Sequence, residues 1–310
     1  MKAACGRLSL LEHLRFTLFV LRNYTAVDSA DAQLSTHHQK TMAFAGKHAL
    51  KMLFQNFDTT CCCLCGDAGP LTGEHKIKAS ALRSEFGETE LYISKTGNTS
   101  SRPNLAQSTK SKHLKFKVRM CESCNTNRTQ PADREFDNFN KLAQKAICSG
   151  VDPIKLFELP KYARGSEPYL NIFRYFAKLL CCHMAEVQAP RPIRLSEFAI
   201  GNADTNYVWL AVKKDWTYGQ KKSHLGEHQF AAHGGLIVIG DKISGSAKGF
   251  HSTLTIGPVQ YVFHMDLAEI ETQELEASYP EFSNWCRSRV VHATQFPLSR
   301  EEKLSQGLSE

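Results

Sequence analysis

The alternation of hydrophobic and polar positions predicts the secondary structure of the first half of the chain. Leucines at helical spacing open it, and a second helical pattern covers Phe44 to Phe54. From His113 to Met120 every second residue is basic or His and the others are apolar, so the period of two predicts a half-buried strand with one basic face. Apolar residues then recur at helical spacing from Phe136 to Ile147, between Pro131 and Gly150. A strand followed by a helix is therefore expected here.

In the second half, the segment from Tyr169 to Val187 is apolar on most sides, which predicts a buried helix that ends before Pro190 and Pro192. The later patterns predict strands and a closing helix, at Tyr207–Val212, Leu236–Ile239, His251–Met265 and Pro280–Val290. The segment from Lys95 to Lys112 is rich in Gly, Ser, Thr and Asn, and predicts a long exposed loop. The fold class expected is α+β.

We predict three parts along the chain. Residues 1–58 would form a helical, partly disordered N-terminal extension, residues 59–150 a cysteine-rich domain, and residues 151–310 a C-terminal α+β accessory domain of unassigned fold. An alternative start at Met42 would leave residues 1–41 outside the native protein. The C-terminal part would supply specificity, regulation, or contacts with a second copy or a partner protein.

Composition and charge exclude some classes of protein. With 42% hydrophobic and 22% charged residues the chain is not largely disordered, and no apolar run approaches the about 18–20 residues of a membrane span. Charged residues interrupt the apolar N-terminal segment, so a secretory signal is not expected. We therefore expect no membrane partner and a cytoplasmic location, where clustered cysteines are more often metal ligands than disulfides.

The eleven cysteines include two C-x-x-C pairs. Cys62 and Cys65 form the first pair, Cys121 and Cys124 the second, and such pairs turn both sulfurs towards one tetrahedral Zn²⁺. The 55 residues between the pairs exceed the spacing of a compact zinc ribbon, so a segment is inserted between them. The alternative is a group of buried free cysteines. The other clustered cysteines are expected to be bystanders or core residues: Cys61, Cys63, Cys181 and Cys182.

Three further residues lie within or beside this arrangement. Glu74 and His75 are adjacent and follow the first pair, while Asn125 directly follows the second. Carboxylate and amide oxygens suit a hard divalent cation, and a neutral imidazole can accept a proton from water. Taken alone, a Glu-His pair is usually a solvated surface pair; combined with the cysteines it indicates a hydrolytic metal site.

Together these residues resemble the HNH endonuclease superfamily, with its ββα-metal fold, in the zinc-stapled form exemplified by recombination endonuclease VII. The resemblance covers about 85 residues and implies a structural Zn²⁺ on the four cysteines. It implies a catalytic Mg²⁺ or Mn²⁺ on Glu74 and Asn125, with His75 as general base. The chain departs from the family in having Lys78 where Pro is common, in a long span between His75 and Cys121, and in lacking a clear middle Asn.

Basic charge is concentrated in the inserted segment. Residues 75–119 contain ten Lys or Arg and three Glu, which equals the whole formal charge of +7. Such localised charge is suited to the phosphate backbone of nucleic acid, although a solvated charged loop is the alternative. The residues expected to contact nucleic acid are Lys76, Lys78, Lys115, Lys117, Arg119 and Arg128.

The sequence therefore predicts a metal-dependent endonuclease that hydrolyses DNA phosphodiester bonds. The first alternative is a zinc-stapled module that binds DNA or RNA without cleaving it. A weaker one is a protein-interaction scaffold. A second cluster, at His224, Glu227, His228 and His233, lies among glycines and is better explained by a turn than by a second metal site.

Overall fold

The computed structural model describes residues 52–88, 90–95, 104–109, 111–215, 218 and 229–295. The first predicted helix and the cluster members His224, Glu227 and His228 lie outside these ranges. Helices and strands are mixed along the described chain, which confirms the α+β class. Within these ranges no helix combines the length and the apolarity that crossing a membrane requires.

Eleven strands occur in the described chain. In chain order they are β1 Phe54–Gln55, β2 Leu71–His75, β3 Leu91–Lys95, β4 Asn104–Ala106, β5 Lys115–Cys121, β6 Arg191–Pro192, β7 Trp209–Lys214, β8 Gln229–His233, β9 Ile237–Gly240, β10 Ala247–Ile256 and β11 Val259–Asp266. The helices are α1 Ala79–Phe86, α2 Gln130–Cys148, α3 Glu167–Glu186, α4 Ile193–Ala199, α5 Glu269–Ser278 and α6 Pro280–Gln295. A π-helical turn, Ser123–Arg128, connects β5 to α2.

The strands form one large sheet and two small ones. The large sheet has the order β4-β3-β8-β10-β11-β7, with β9 also paired to β10. Its pairings are antiparallel except that of β3 with β8, which is parallel. β2 pairs with β5, and β1 with β6. The large sheet thus combines two strands from between the cysteine pairs with strands from the C-terminal half.

Two predictions from the sequence are wrong in part. The predicted exposed loop contains β4, which pairs with β3 and buries Ala106 completely. The second helical pattern does not extend to Phe54, which is in β1; its backbone N–H donates to Glu274 Oε1 at 3.0 Å, and its register partner is Pro192. In both places long-range pairing overrides the local pattern.

Helices α2 and α3 pack together against one face of the large sheet. Phe136 of α2 stacks on Tyr175 of α3, with ring centroids 3.8 Å apart, and Phe176 contacts Phe263 of β11 at 4.9 Å. The Tyr261 hydroxyl donates to Asn140 Oδ1 at 2.8 Å, whereas the buried Tyr175 hydroxyl has no hydrogen-bond partner in the described part of the chain. Both predicted helices are confirmed, and they bring residues of the predicted cysteine-rich domain and of the C-terminal part into one core.

The predicted C-terminal strands are also confirmed with shifted ends. Residues 251–265 divide into the antiparallel pair β10 and β11, whose turn contains Gly257 at φ +56°. A side chain at that position would be strained, and its Cβ would approach Glu85 Oε1 to 2.8 Å. Glycine is therefore required where β10 reverses into β11.

Candidate metal centre and nucleic-acid interface

Four cysteines from both sequence pairs converge at one end of the β2–β5 pair. Cys62 and Cys65 lie in the loop before β2, Cys121 ends β5, and Cys124 lies in the π-helical turn. Their sulfurs all lie within 4.8 Å of one another. A tetrahedral Zn²⁺ with Zn–S bonds near 2.3 Å separates its sulfurs by about 3.8 Å. The predicted convergence is confirmed, and the cluster could hold a metal ion such as Zn²⁺.

Hydrogen bonding within the cluster stabilises negative charge on one of its sulfurs, that of Cys62. A hydrogen bond from the Cys124 thiol lowers the pKa of Cys62 to about 4, against the opposing effect of burial. Burial raises the pKa of Cys65 to about 12. Arg128 donates from Nη1 to Cys124 Sγ at 3.9 Å. The predicted phosphate contact Arg128 therefore has one face directed at the cysteine cluster.

The neighbouring cysteines have other environments. Cys63 is buried, and its sulfur lies 3.8 Å from that of Cys182. Cys181 and Cys182 are buried in α3, as predicted for core residues. Within the described chain, the four-cysteine cluster is the one group of three or more His, Cys, Asp or Glu close enough to share an ion.

The π-helical turn places Asn125 against β2. The Asn125 side-chain N–H donates to Thr72 Oγ1 at 2.8 Å and to the Gly73 carbonyl at 3.4 Å. These two residues immediately precede Glu74 and His75 on the same strand. Asn125 is thus held against the two residues that precede Glu74 and His75 on β2.

His75 is half-buried beside several cations. Its Nε2 is buried and has no hydrogen-bond partner in the described part of the chain. Burial lowers the pKa of His75; the adjacent Glu74 opposes this, while Lys115 and Lys178 add to it. The imidazole is therefore held neutral, with a lone pair available to accept a proton.

Glu74 has a partner that the sequence did not reveal. Its Oε1 accepts from Lys178 Nζ at 2.9 Å, and the same ammonium donates to Asp133 Oδ1 at 2.6 Å. The Lys178 side chain is 1% exposed. Burial by itself would lower the pKa of Lys178, but the carboxylates of Asp133 and Glu74 raise it above its usual value. Lys178 is therefore a buried, charged side chain.

The donor chemistry at Glu74 and Asn125 suits a hard divalent cation. The hydrogen bonds use Glu74 Oε1 and the Asn125 side-chain nitrogen, so the described contacts leave Glu74 Oε2 and Asn125 Oδ1 as oxygen donors. Two protein oxygens completed by water and phosphate are typical of magnesium sites. The two side chains therefore offer oxygen atoms of the kind that such an ion prefers, and Lys178 is a positive charge close to Glu74.

The predicted basic strand is confirmed. Along β5, Lys115, Lys117 and Arg119 are exposed, and the intervening apolar side chains are buried. The register pairs His75 with Lys115 and Gly73 with Arg119, so the exposed cations continue from the His75 end of the strand pair to the cysteine end. Three exposed cations in a row have the charge that a phosphate backbone requires.

Two other predicted contacts already have acidic partners. Lys76 Nζ lies 3.0 Å from Glu186 Oε2, and Lys78 Nζ lies 3.4 Å from Asp137 Oδ2. Both ion pairs are largely shielded from solvent. Lys76 and Lys78 are thus less suited to phosphate than the row on β5.

No protein-family model, curated protein or solved structure matches this chain. The arrangement of the chain's own residues is therefore the basis on which a function is proposed.

Proposed function

We propose that this protein is a metal-dependent endonuclease of the HNH type, whose ββα-metal unit is formed by β2, β5 and α2 and stapled by a structural Zn²⁺. The observation that supports this most directly is the hydrogen bond from Asn125 to Thr72, which sets the residue after the second cysteine pair beside Glu74 and His75. In the HNH arrangement these three positions bind the metal and activate water. The four converging cysteines support the zinc staple.

Each residue has a distinct task in this proposal. Glu74 and Asn125 hold a Mg²⁺ or Mn²⁺, which when bound neutralises charge developing on the phosphate and the leaving oxygen. The neutral imidazole of His75 accepts the proton of the attacking water. Because burial keeps this imidazole neutral, it is ready to act as a base near neutral pH.

In this proposal the exposed row of cations on β5 binds the DNA substrate. Lys115, Lys117 and Arg119 neutralise backbone phosphates without reading bases, so DNA affinity is expected to be dependent on salt and largely independent of sequence. Replacing all three by alanine should reduce the slope of log K against log salt by about 3, at about 0.9 per lost contact. An unchanged slope in fluorescence-anisotropy titrations would place the DNA elsewhere.

The test of catalysis is His75→Ala, purified with its zinc content verified. Plasmid cleavage with Mg²⁺ or Mn²⁺ should fall by about 10²–10⁴-fold, because general base catalysis is lost. His113→Ala is the matched control, since His113 is an exposed histidine at the entrance to β5. Cleavage by His75→Ala at the parent's rate would contradict the mechanism.

A second candidate function is a zinc-stapled nucleic-acid-binding module without catalysis. The observation that favours it is the ion pair between Lys178 and Glu74, which engages one oxygen of the proposed metal ligand. DNA binding that depends on the β5 row, with no cleavage of supercoiled, linear, single-stranded or branched DNA in any divalent metal, would decide for this module.

A further inference from the structure

We infer that Lys178 is a built-in counter-cation that keeps a divalent metal from settling on Glu74 until a nucleic-acid phosphate is also bound. The inference rests on the proposed function and deepens it: metal and substrate would bind as a coupled pair. It adds Lys178 and Asp133 to the site as positioning residues.

The ammonium group of Lys178 contacts two carboxylates. Lys178 Nζ lies 2.9 Å from Glu74 Oε1 and 2.6 Å from Asp133 Oδ1, so two carboxylates from different elements meet one cationic atom. Their side chains are only 12% and 15% exposed. In this shielded setting, a like charge placed beside Lys178 is repelled much more strongly than at the surface.

The Lys178 side chain is also held in place by its surroundings. It lies in the middle of α3, and its ammonium is 5.2 Å from the centre of the Tyr175 ring. That ring is itself stacked on Phe136 in the aromatic layer. A fixed ammonium cannot move into solvent when a metal approaches, so its charge has to be balanced by a further anion.

The net charge of the triad also favours joint binding of a metal ion and a phosphate. Glu74, Asp133 and Lys178 together carry −1, and adding a divalent ion gives +1. A phosphodiester brings the sum to zero. Because uncompensated charge is expensive to bury, the metal and the phosphate should each strengthen binding of the other by the same factor.

The experiment measures Mn²⁺ binding rather than cleavage. The full-length, zinc-loaded His75→Ala protein is titrated with Mn²⁺, with free Mn²⁺ followed by electron paramagnetic resonance, alone and with a short DNA duplex. Binding by the duplex alone is subtracted. We expect DNA to tighten Mn²⁺ binding at least tenfold. Adding Lys178→Met should give binding at least tenfold tighter without DNA, with little further gain from DNA.

Two further variants serve as controls. Lys178→Arg keeps the positive charge and should retain the dependence on DNA. Arg174→Met removes another buried cation of α3, one turn away and paired with different carboxylates, and should leave Mn²⁺ binding unchanged. If Lys178→Met does not fold, Asp133→Asn tests the same idea in the opposite direction: it makes the triad neutral and should weaken Mn²⁺ binding in the presence of DNA at least fivefold.

Failure of the inference and failure of the proposed function give different results. If the parent cleaves DNA but Mn²⁺ binds His75→Ala equally well with and without DNA, the role of Lys178 is overturned and the nuclease stands. If Lys178→Met folds and binds Mn²⁺ no more tightly, the same conclusion follows. Absence of Mn²⁺ binding in every variant, together with absence of cleavage by the parent, would overturn both.

Discussion

Helix α3 carries two buried cations one turn apart, and they differ in the surroundings of their partners. Arg174 binds Glu167 at 2.8 Å and Asp204 at 2.7 Å, and those carboxylate side chains are 66% and 82% exposed. Lys178 binds Glu74 and Asp133 at similar distances, but these carboxylates are largely buried. Each of these cations meets two carboxylates. The carboxylates of Arg174 make a clamp at the surface, whereas those of Lys178 make a triad that is shielded from solvent.

The property that distinguishes the two groups is the burial of the carboxylates. An exposed carboxylate that loses its cation is still solvated by water, whereas a buried one is left with an uncompensated charge. A new charge placed beside the Lys178 triad should therefore have a larger effect than one placed beside the Arg174 clamp.

The largest effect on stability is expected from removing one of the four cysteines proposed to bind zinc next to β2. Cys121→Ser should lose the metal of the four-cysteine cluster, which metal analysis of the parent should show as about one Zn per chain. Structural zinc contributes on the order of 10 kcal/mol in small domains, so β2 and β5 should lose their protection from hydrogen exchange and Glu74 should separate from Lys178. The N-terminal end of α3, with Arg174, should keep its protection.

Cys61→Ser is the control for this change, because Cys61 lies next to the cluster without belonging to it. It should retain zinc. Full zinc content in Cys121→Ser would show that the staple has been assigned to the wrong residues.

The next largest effect is expected from Lys178→Met. It leaves Glu74 and Asp133 without their shared cation, and breaking a buried pair on one side typically lowers the free energy of unfolding by about 3–5 kcal/mol. Urea denaturation monitored by circular dichroism measures the loss. Lys178→Met combined with Asp133→Asn removes one of the two stranded charges and should recover part of it. A loss below about 1 kcal/mol in the single variant would mean that water reaches the triad.

A buried base without a carboxylate partner gives the opposite case. His251 of β10 is buried opposite His264 of β11, and its Nε2 has no hydrogen-bond partner in the described chain. Burial lowers the pKa of His251 to about 4, with contributions from His264 and Lys213. The histidine is therefore kept neutral, whereas Lys178 is kept charged.

This contrast predicts a dependence of stability on pH. The unfolded chain takes up a proton at His251 near pH 6.5 and the folded chain only near pH 4, so its contribution is complete above about pH 6.5 and is lost as the pH falls towards 4. The loss amounts to about 3 kcal/mol. His251→Gln should remove this part of the acid sensitivity in urea titrations from pH 7 to pH 4; identical pH profiles for parent and variant would contradict it.

The smallest effect is expected from Arg174→Met. Its carboxylate partners are exposed, and the methionine can retain the packing of the side chain against Phe198, whose ring lies 5.7 Å from the guanidinium. We expect the free energy of unfolding to fall by about 1 kcal/mol or less. A loss as large as that of Lys178→Met would remove the distinction between the two groups.

Much of this arrangement was predictable because its signals are local. The alternation of basic and apolar residues along β5 defined both its faces, and the spacing of the cysteines identified four ligands that converge in space. Helices α2 and α3 followed from periodicity. Each of these signals lies within about twenty residues of chain or in a short motif.

The features that were missed depend on distant partners. Lys178 meets residues 104 and 45 positions away, and the sequence shows only a lysine in an apolar helix. The pairing of β3 with β8 likewise had no local signal, since Leu91 pairs with Gln229, a residue far along the chain. Such pairings are decided by the packing of the whole molecule, which the local pattern does not contain.

The parallel pairing of β3 with β8 also has a consequence for synthesis. Leu91 pairs with Gln229, so β3 leaves the ribosome long before its neighbour exists. At about 5–20 residues per second, the wait is on the order of ten seconds. Both cysteine pairs have emerged well before then. A nascent chain can thus capture its metal early, and its unpaired β3 edge is the part that would benefit most from a chaperone in the interval.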